Sequence, residues 1–93
     1  SKINAIDSII KISKSNRKKH QKILDEHTKR AGNFERKSQN VPESILKDIE
    51  KTKAQLKEFD DFIEIRNQEK LAIHQKYDAD IIRFKELKSI KPK

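Results

Sequence analysis

The sequence of 93 residues has no cysteine, no methionine and no tryptophan, and it contains one glycine and two prolines. Without cysteine the chain can form neither a disulfide nor a thiolate metal site, and it has no cysteine nucleophile. A single glycine excludes a phosphate-binding loop and a dinucleotide fingerprint, because both need several glycines where the backbone approaches phosphate. No run of about 18 apolar residues is present, so the sequence predicts no membrane span.

Composition and length restrict the fold further. Charged residues make up 41% of the chain, hydrophobic residues only 32%, and the net charge is +8. A short chain of this polarity is marginal as a compact globule, whereas many Lys, Glu, Gln, Ile and Leu residues with little Gly or Pro favour long helices. We expect one domain, residues 1–93, and we expect it to be a fragment of a larger protein because it starts with Ser1 and lacks Met.

Hydrophobic periodicity indicates two long helices. Steps of three and four residues define a seam, the row of positions at which apolar side chains recur, in each half of the chain. The first seam runs over residues 3–38 and the second over residues 45–87. The middle of both seams is polar. The polar seam residues are Ser13, Arg17, His20, Arg66 and Lys70.

The connection between the seams carries signals for a helix start. Asn40 with Glu43 fits a capping box, and Pro42 fits the first helical turn. Gly32 leaves two alternatives open, a continuous first helix or an earlier end followed by a longer loop. The predicted elements are helix one over about 2–38, a turn over 38–42 and helix two over about 42–90.

The predicted fold class is all-α, with two long helices forming an antiparallel coiled-coil hairpin, because a short connection makes neighbouring helices antiparallel. The hairpin is either single or dimerised into a four-helix bundle, and a longer parallel dimer is the alternative if the loop straightens. With the turn centred near residue 41, the numbers of facing residues sum to about 83. Leu24 then faces Phe59. Arg17 faces Arg66, and the two repel unless an acid such as Glu69 intervenes.

Apolar residues outnumber those that a two-helix seam requires. The surplus clusters where helix one begins and helix two ends, which we call the open end, and a helix that is apolar nearly all round is normally buried among several neighbours. We therefore expect an interface for a protein partner or for self-association, although isolated surface apolar residues are the alternative. The predicted partner-binding residues are Ile9, Ile12, Ile65, Leu71, Ile81, Ile82, Phe84 and Leu87.

Positive charge concentrates in helix one. Residues 2–37 contain eleven basic and four acidic residues, a net of +7, whereas residues 41–93 contain twelve and eleven, a net of +1. Such a surface can neutralise phosphates, bind an acidic protein or anionic lipid, or simply be solvated. No aromatic residues interleave it to stack bases. The candidate residues for binding nucleic acid or an acidic partner, here called the basic ridge, are Lys11, Lys14, Lys18, Lys19, Lys22 and Lys29.

Histidines and carboxylates form no recognisable catalytic or metal site. His20 and His27 lie about 10 Å apart along a helix, too far to share one ion. Asp78 and Asp80 begin like a calcium loop, but the glycine and the final glutamate of that motif are missing. We therefore expect no enzyme activity, no catalytic or metal-binding residues, no cofactor and no small-molecule substrate.

Together these features favour a non-enzymatic coiled-coil module, a scaffold for protein–protein interaction and oligomerisation through the apolar open end. The alternative is a non-specific nucleic-acid-binding arm that uses the basic surface of helix one. The absence of cysteine favours an intracellular location, cytoplasmic or nuclear.

Overall fold

The computed structural model describes residues 1–90, which form two α-helices and no strand. Helix α1 spans Lys2–Arg36 and helix α2 spans Glu43–Ile90. The helices pack side by side and run in opposite directions, so the molecule is a rod 85 Å long and 17 × 16 Å in cross-section. The prediction of an all-α antiparallel helical hairpin is confirmed.

Helix α1 is continuous over its whole length. Ser1 caps its N-terminus, because the Ser1 side chain accepts a hydrogen bond from the Asn4 N–H at 3.2 Å. The helix passes through Gly32 without a break. Of the two alternatives that the sequence left open, the structure therefore has the long helix.

The C-terminus of α1 is a Schellman motif. The Gln39 N–H donates to the Phe34 carbonyl at 2.9 Å, and the Ser38 N–H donates to the Glu35 carbonyl at 3.0 Å. Ser38 has φ of 55°, in the left-handed region where glycine is the usual residue of this motif. Since that conformation ends the helix, α1 stops two residues before its predicted end.

Helix α2 begins directly after Pro42, whose carbonyl accepts the first helical hydrogen bonds. Proline disfavours helical geometry at the residue before it, so Val41 stays outside the helix. The predicted capping box is therefore wrong: Glu43 is the first helical residue rather than the third. Its carboxylate instead lies 3.4 Å from the Lys47 ammonium.

The register of the hairpin differs from the predicted one. One ring contact and two ion pairs between the helices show the register in the described part of the chain: His20 with Phe59, Arg17 with Asp60, and Asp7 with Lys70. The residue numbers in these pairs sum to 77–79, so the predicted sum of about 83 is wrong by about one helical turn. The reason is that the connection between Arg36 and Glu43 is centred between residues 39 and 40 and not near residue 41.

The interior of the rod is a narrow seam. Its buried residues are Ile6, Ile10, Ser13 and Ala31 from α1 and Thr52 and Leu56 from α2. The Thr52 hydroxyl donates to the Asp48 carbonyl at 2.8 Å, so its burial leaves no unsatisfied donor. The other seam side chains of residues 3–34 and 45–73 are half-buried, because two helices alone cannot exclude water from both flanks of the seam.

Replacing Gly32 by alanine tests the continuity of α1. Nothing lies within 4 Å of the position that a Cβ would take. Gly32→Ala should therefore raise the free energy of unfolding by about 0.5–1 kcal/mol, because alanine loses less backbone entropy in a helix. Thermal unfolding followed by circular dichroism measures this, with the helix-breaking Gly32→Pro as the opposite control. A lower midpoint for Gly32→Ala would contradict a helical residue 32.

Candidate functional site

The ion pairs between the helices lie on one flank of the seam. The Arg17 guanidinium donates to both carboxylate oxygens of Asp60, at 2.5 and 3.3 Å. This hydrogen bonding, together with the carboxylate charge, raises the pKa of Arg17 above its ordinary value. On the same flank the Lys70 ammonium lies 2.5 Å from the Asp7 carboxylate. We call the flank that carries Asp7, Arg17, Asp60 and Lys70 the ion-pair side.

Arg66 turns to the other flank. Its guanidinium carbon lies 4.8 Å from the centre of the Phe62 ring, and its Nη1 lies 3.0 Å from the Glu69 carboxylate. Its Nε is buried and has no hydrogen-bond partner in the described part of the chain. The prediction that Arg66 faces Arg17 is wrong, because the two arginines leave the seam on opposite sides.

An open groove of about 420 Å³ lies on the flank opposite the ion-pair side. Its lining residues are Ser13 and His20 of α1 and Gln55, Glu58, Phe59 and Phe62 of α2. The groove forms where the seam is polar: Ser13 is too small to fill the space between the helices. The His20 ring packs at 5.0 Å from the Phe59 ring, and its Nδ1 lies 2.9 Å from the Asn16 carbonyl oxygen.

Exposed apolar side chains surround this groove. Residues three, four and seven apart share one face of a helix, which places Ile9 and Ile23 beside Ser13 and His20. By the same spacing, Ile65 follows Phe62 along α2. These apolar side chains are 38–61% exposed. We call the surface formed by Ile9, Ile12, Ile23, Phe62 and Ile65 the lateral apolar face.

The predicted partner-binding residues do not form one surface. Ile9, Ile12 and Ile65 belong to the lateral apolar face. A second group lies on or beside the seam of α2 past the first residue of α1, where α2 extends by about 13 residues, or about 20 Å. The remaining two residues lie on other faces of α2. The second group is Ile81, Phe84 and Leu87, and the remaining pair is Leu71 and Ile82.

The sequence prediction does not include Ile23 and Phe62 among the partner-binding residues. Both flank the seam, so the sequence pattern indicates that they pack within the hairpin itself. In the structure Ile23 is 41% exposed and Phe62 is 38% exposed. A comparison of the two flanks of the seam on a helical wheel would have found them, because the opposite flank has Lys14 and Gln21 at the corresponding positions of α1.

The basic ridge is exposed but does not lie on a single face. All six lysines are exposed, and none makes an ion pair within residues 1–90. Helical spacing places Lys11, Lys14 and Lys18 toward the ion-pair side, whereas Lys19 lies at the rim of the lateral apolar face. The remaining two lysines, Lys22 and Lys29, point away from α2. The six lysines extend over about 27 Å of α1.

Within residues 1–90, no three His, Asp or Glu side chains come together in an arrangement that could hold a metal ion. In that same range neither helix contains a stretch apolar enough to cross a membrane. Searches of protein families, curated proteins and solved structures find no match for this chain.

Two isoleucines on α1 distinguish the seam from the lateral apolar face. Ile10 is 6% exposed and Ile12 is 61% exposed. Ile10→Ala should lower the free energy of unfolding by about 2–4 kcal/mol, because it opens a cavity in the seam. Ile12→Ala should change the free energy of unfolding by less than about 0.5 kcal/mol when the protein is highly diluted. Urea unfolding of the two variants measures this, and equal losses would contradict a free lateral face.

Proposed function

We propose that the chain is a non-enzymatic coiled-coil module for protein–protein interaction and assembly, a scaffold that docks or self-associates through its apolar open end. The observation that carries this proposal is the exposure of seven of the eight predicted partner-binding residues, all but Ile81. These residues form more than one patch, and exposed apolar patches mark interaction sites in soluble proteins. The absence of cysteine supports an intracellular setting, cytoplasmic or nuclear.

The shape of the hairpin supports binding rather than catalysis. An enzyme site needs a concave pocket that excludes water and brings a nucleophile, a base and an orienting group together. The rod is only 17 × 16 Å in cross-section, and the groove beside His20 is open to solvent along the rod. A long thin surface of this kind suits a partner that contacts many side chains at once.

Helical spacing of the apolar residues near the end of α2 supports a helical partner. Ile81, Phe84 and Leu87 recur every three residues along α2, which is the pattern that a second helix covers by inserting side chains between them. The lateral apolar face has the same character, since Ile9 and Ile12 on α1 and Phe62 and Ile65 on α2 are also spaced by three.

Charged substitutions at the open end test the proposal. Leu71→Lys combined with Ile82→Lys places two ammonium groups on exposed apolar positions, 51% and 57% exposed, that a docked partner would bury. We expect the variant to lower the association constant on the order of tenfold or more, because burying an unpaired charge is costly. Sedimentation over a range of concentrations measures the association.

The matched control is Leu46→Lys, the same change at a leucine that is 48% exposed near the connection between the helices. This variant should associate like the native chain. Circular dichroism establishes that all variants keep the helical hairpin. An association constant that is the same in the native chain and in the folded double variant would contradict docking through the open end.

A second candidate function is the non-specific nucleic-acid-binding arm. The observation that favours it is the exposed, unpaired state of all six lysines of the basic ridge within residues 1–90. For a nucleic-acid-binding arm we expect the native chain to bind a mixed-sequence DNA duplex with micromolar affinity at about 150 mM salt. Because counterions are released from the phosphates, the affinity falls steeply as salt is added.

Charge reversal at Lys18, Lys19 and Lys22 should then abolish DNA binding. The control is charge reversal at three exposed lysines of α2, which changes the net charge equally. These control lysines are Lys51, Lys53 and Lys57. Fluorescence anisotropy of a labelled DNA duplex measures the DNA binding of both triple variants. Equal losses in the two triple variants would show an effect of net charge alone and would contradict a binding surface on α1.

A further inference from the structure

The lateral apolar face is a surface that the hairpin does not use for its own fold. The two ion pairs that join the helices lie on the opposite flank, while the groove and five exposed apolar side chains lie here. We infer that this face is an interface between two copies of the chain, which join side by side as a four-helix bundle. The inference rests on the proposed function and names its partner.

The charges of the helices select one arrangement of the two copies. Helix α1 lies in the segment with net charge +7, and the segment containing α2 is nearly neutral. A two-fold axis along the rod places α1 of each copy against α2 of the other, whereas an axis across the rod places the two basic helices together. Like charges across an interface are unfavourable, so the axis runs along the rod.

Rotation about an axis along the rod keeps each residue at the same position along the rod, which we call its height. The α1 of one copy therefore meets the α2 of the other in the register already present within each hairpin, in which facing residue numbers sum to about 79. Neighbouring helices run antiparallel throughout, as in ordinary four-helix bundles. The register determines which side chains come together between the copies.

One exposed apolar side chain of each copy then meets another. Ile12 of one copy lies close to the height of Ile65 of the other. Phe62 lies at the height of residue 17 of the second copy, beside the groove between Ser13 and His20 of that copy. An aromatic side chain that enters an open groove is a typical anchor of a protein interface. The groove of about 420 Å³, which Phe62 of the same copy also lines, thus lies against Phe62 of the second copy.

Charged groups at the rim meet opposite charges. Lys19 lies close to the height of Glu58 of the second copy, and Glu26 lies close to the height of Lys51 of the second copy. None of these four side chains forms an ion pair within the described part of its own chain. Both pairs lie on the edge of the lateral apolar face, because each residue is spaced from Ile12 or Ile65 by seven or fourteen.

Pairs of engineered cysteines test this arrangement directly, because the native chain contains no cysteine. A mixture of Lys19→Cys and Glu58→Cys chains should form a disulfide-linked heterodimer under mild oxidation. The control replaces Lys19→Cys by Lys18→Cys, an adjacent exposed lysine on the ion-pair side. We expect the control mixture to cross-link on the order of tenfold more slowly. Equal rates, or faster cross-linking in the control, would overturn the proposed face.

Sedimentation of the cysteine-free chain supplies the second measurement. The native chain should reach twice the mass of one chain at high concentration and dissociate on dilution. Ile23→Lys should lower the association constant on the order of tenfold or more, because Ile23 belongs to the interface but not to the predicted open-end residues. Leu46→Lys is again the control, and circular dichroism verifies the helices of both variants.

The outcomes separate this inference from the proposed function. A dimer that is lost in Ile23→Lys and cross-linked through positions 19 and 58 supports both. A dimer that tolerates Ile23→Lys but is lost in the Leu71→Lys and Ile82→Lys double variant overturns the lateral interface and supports docking through the open end. A chain that stays single at every concentration overturns the inference, and so does a dimer that none of these variants weakens.

Discussion

The ion pair between Arg17 and Asp60 specifies which flank of the seam carries the charged contacts between the two helices of this rod. Both seams are polar in the middle, so apolar packing alone does not fix their alignment there. The Arg17–Asp60 and Asp7–Lys70 pairs hold one register and place the charged contacts on one flank. Exposed ion pairs add little stability, but polar groups in a helical seam specify alignment. Phe62 and the groove therefore lie on the opposite flank, which carries neither of these ion pairs.

The small interior explains why the opposite flank matters. Only four hydrophobic side chains in the described part of the chain are buried, and a core of this size leaves a small margin of stability. Apolar side chains such as Ile12 and Phe62 lie in water in the single hairpin. Covering them with another helix removes apolar surface from water and adds to the stability of the hairpin at the same time. Assembly and folding are coupled in this account.

The sequence predicts the hairpin because heptad spacing, the scarcity of glycine and the signals around Pro42 all agree. It does not predict where the connection is centred, which depends on the left-handed conformation of Ser38 and on the exclusion of Val41 from α2. The connection is centred between residues 39 and 40 and not near residue 41, which moves every facing pair by about one turn. The lateral apolar face depends in turn on the register and on the directions that Arg17 and Arg66 take. The sequence therefore shows that Ile23 flanks the seam, but it does not show that this flank is free of the ion pairs between the helices.

Nuclear Overhauser effects from the Phe59 ring test the register most directly. The chain has four phenylalanines, one tyrosine and three histidines, so its aromatic spectrum is simple to assign. The structure places the His20 ring 5.0 Å from Phe59, and we expect strong effects between their ring protons. A register that is one turn away places Leu24 opposite Phe59 instead. Nuclear Overhauser effects from the Phe59 ring to the Leu24 methyl groups, without effects to the His20 ring, would contradict this register. They would also contradict the position of the groove and of the lateral apolar face.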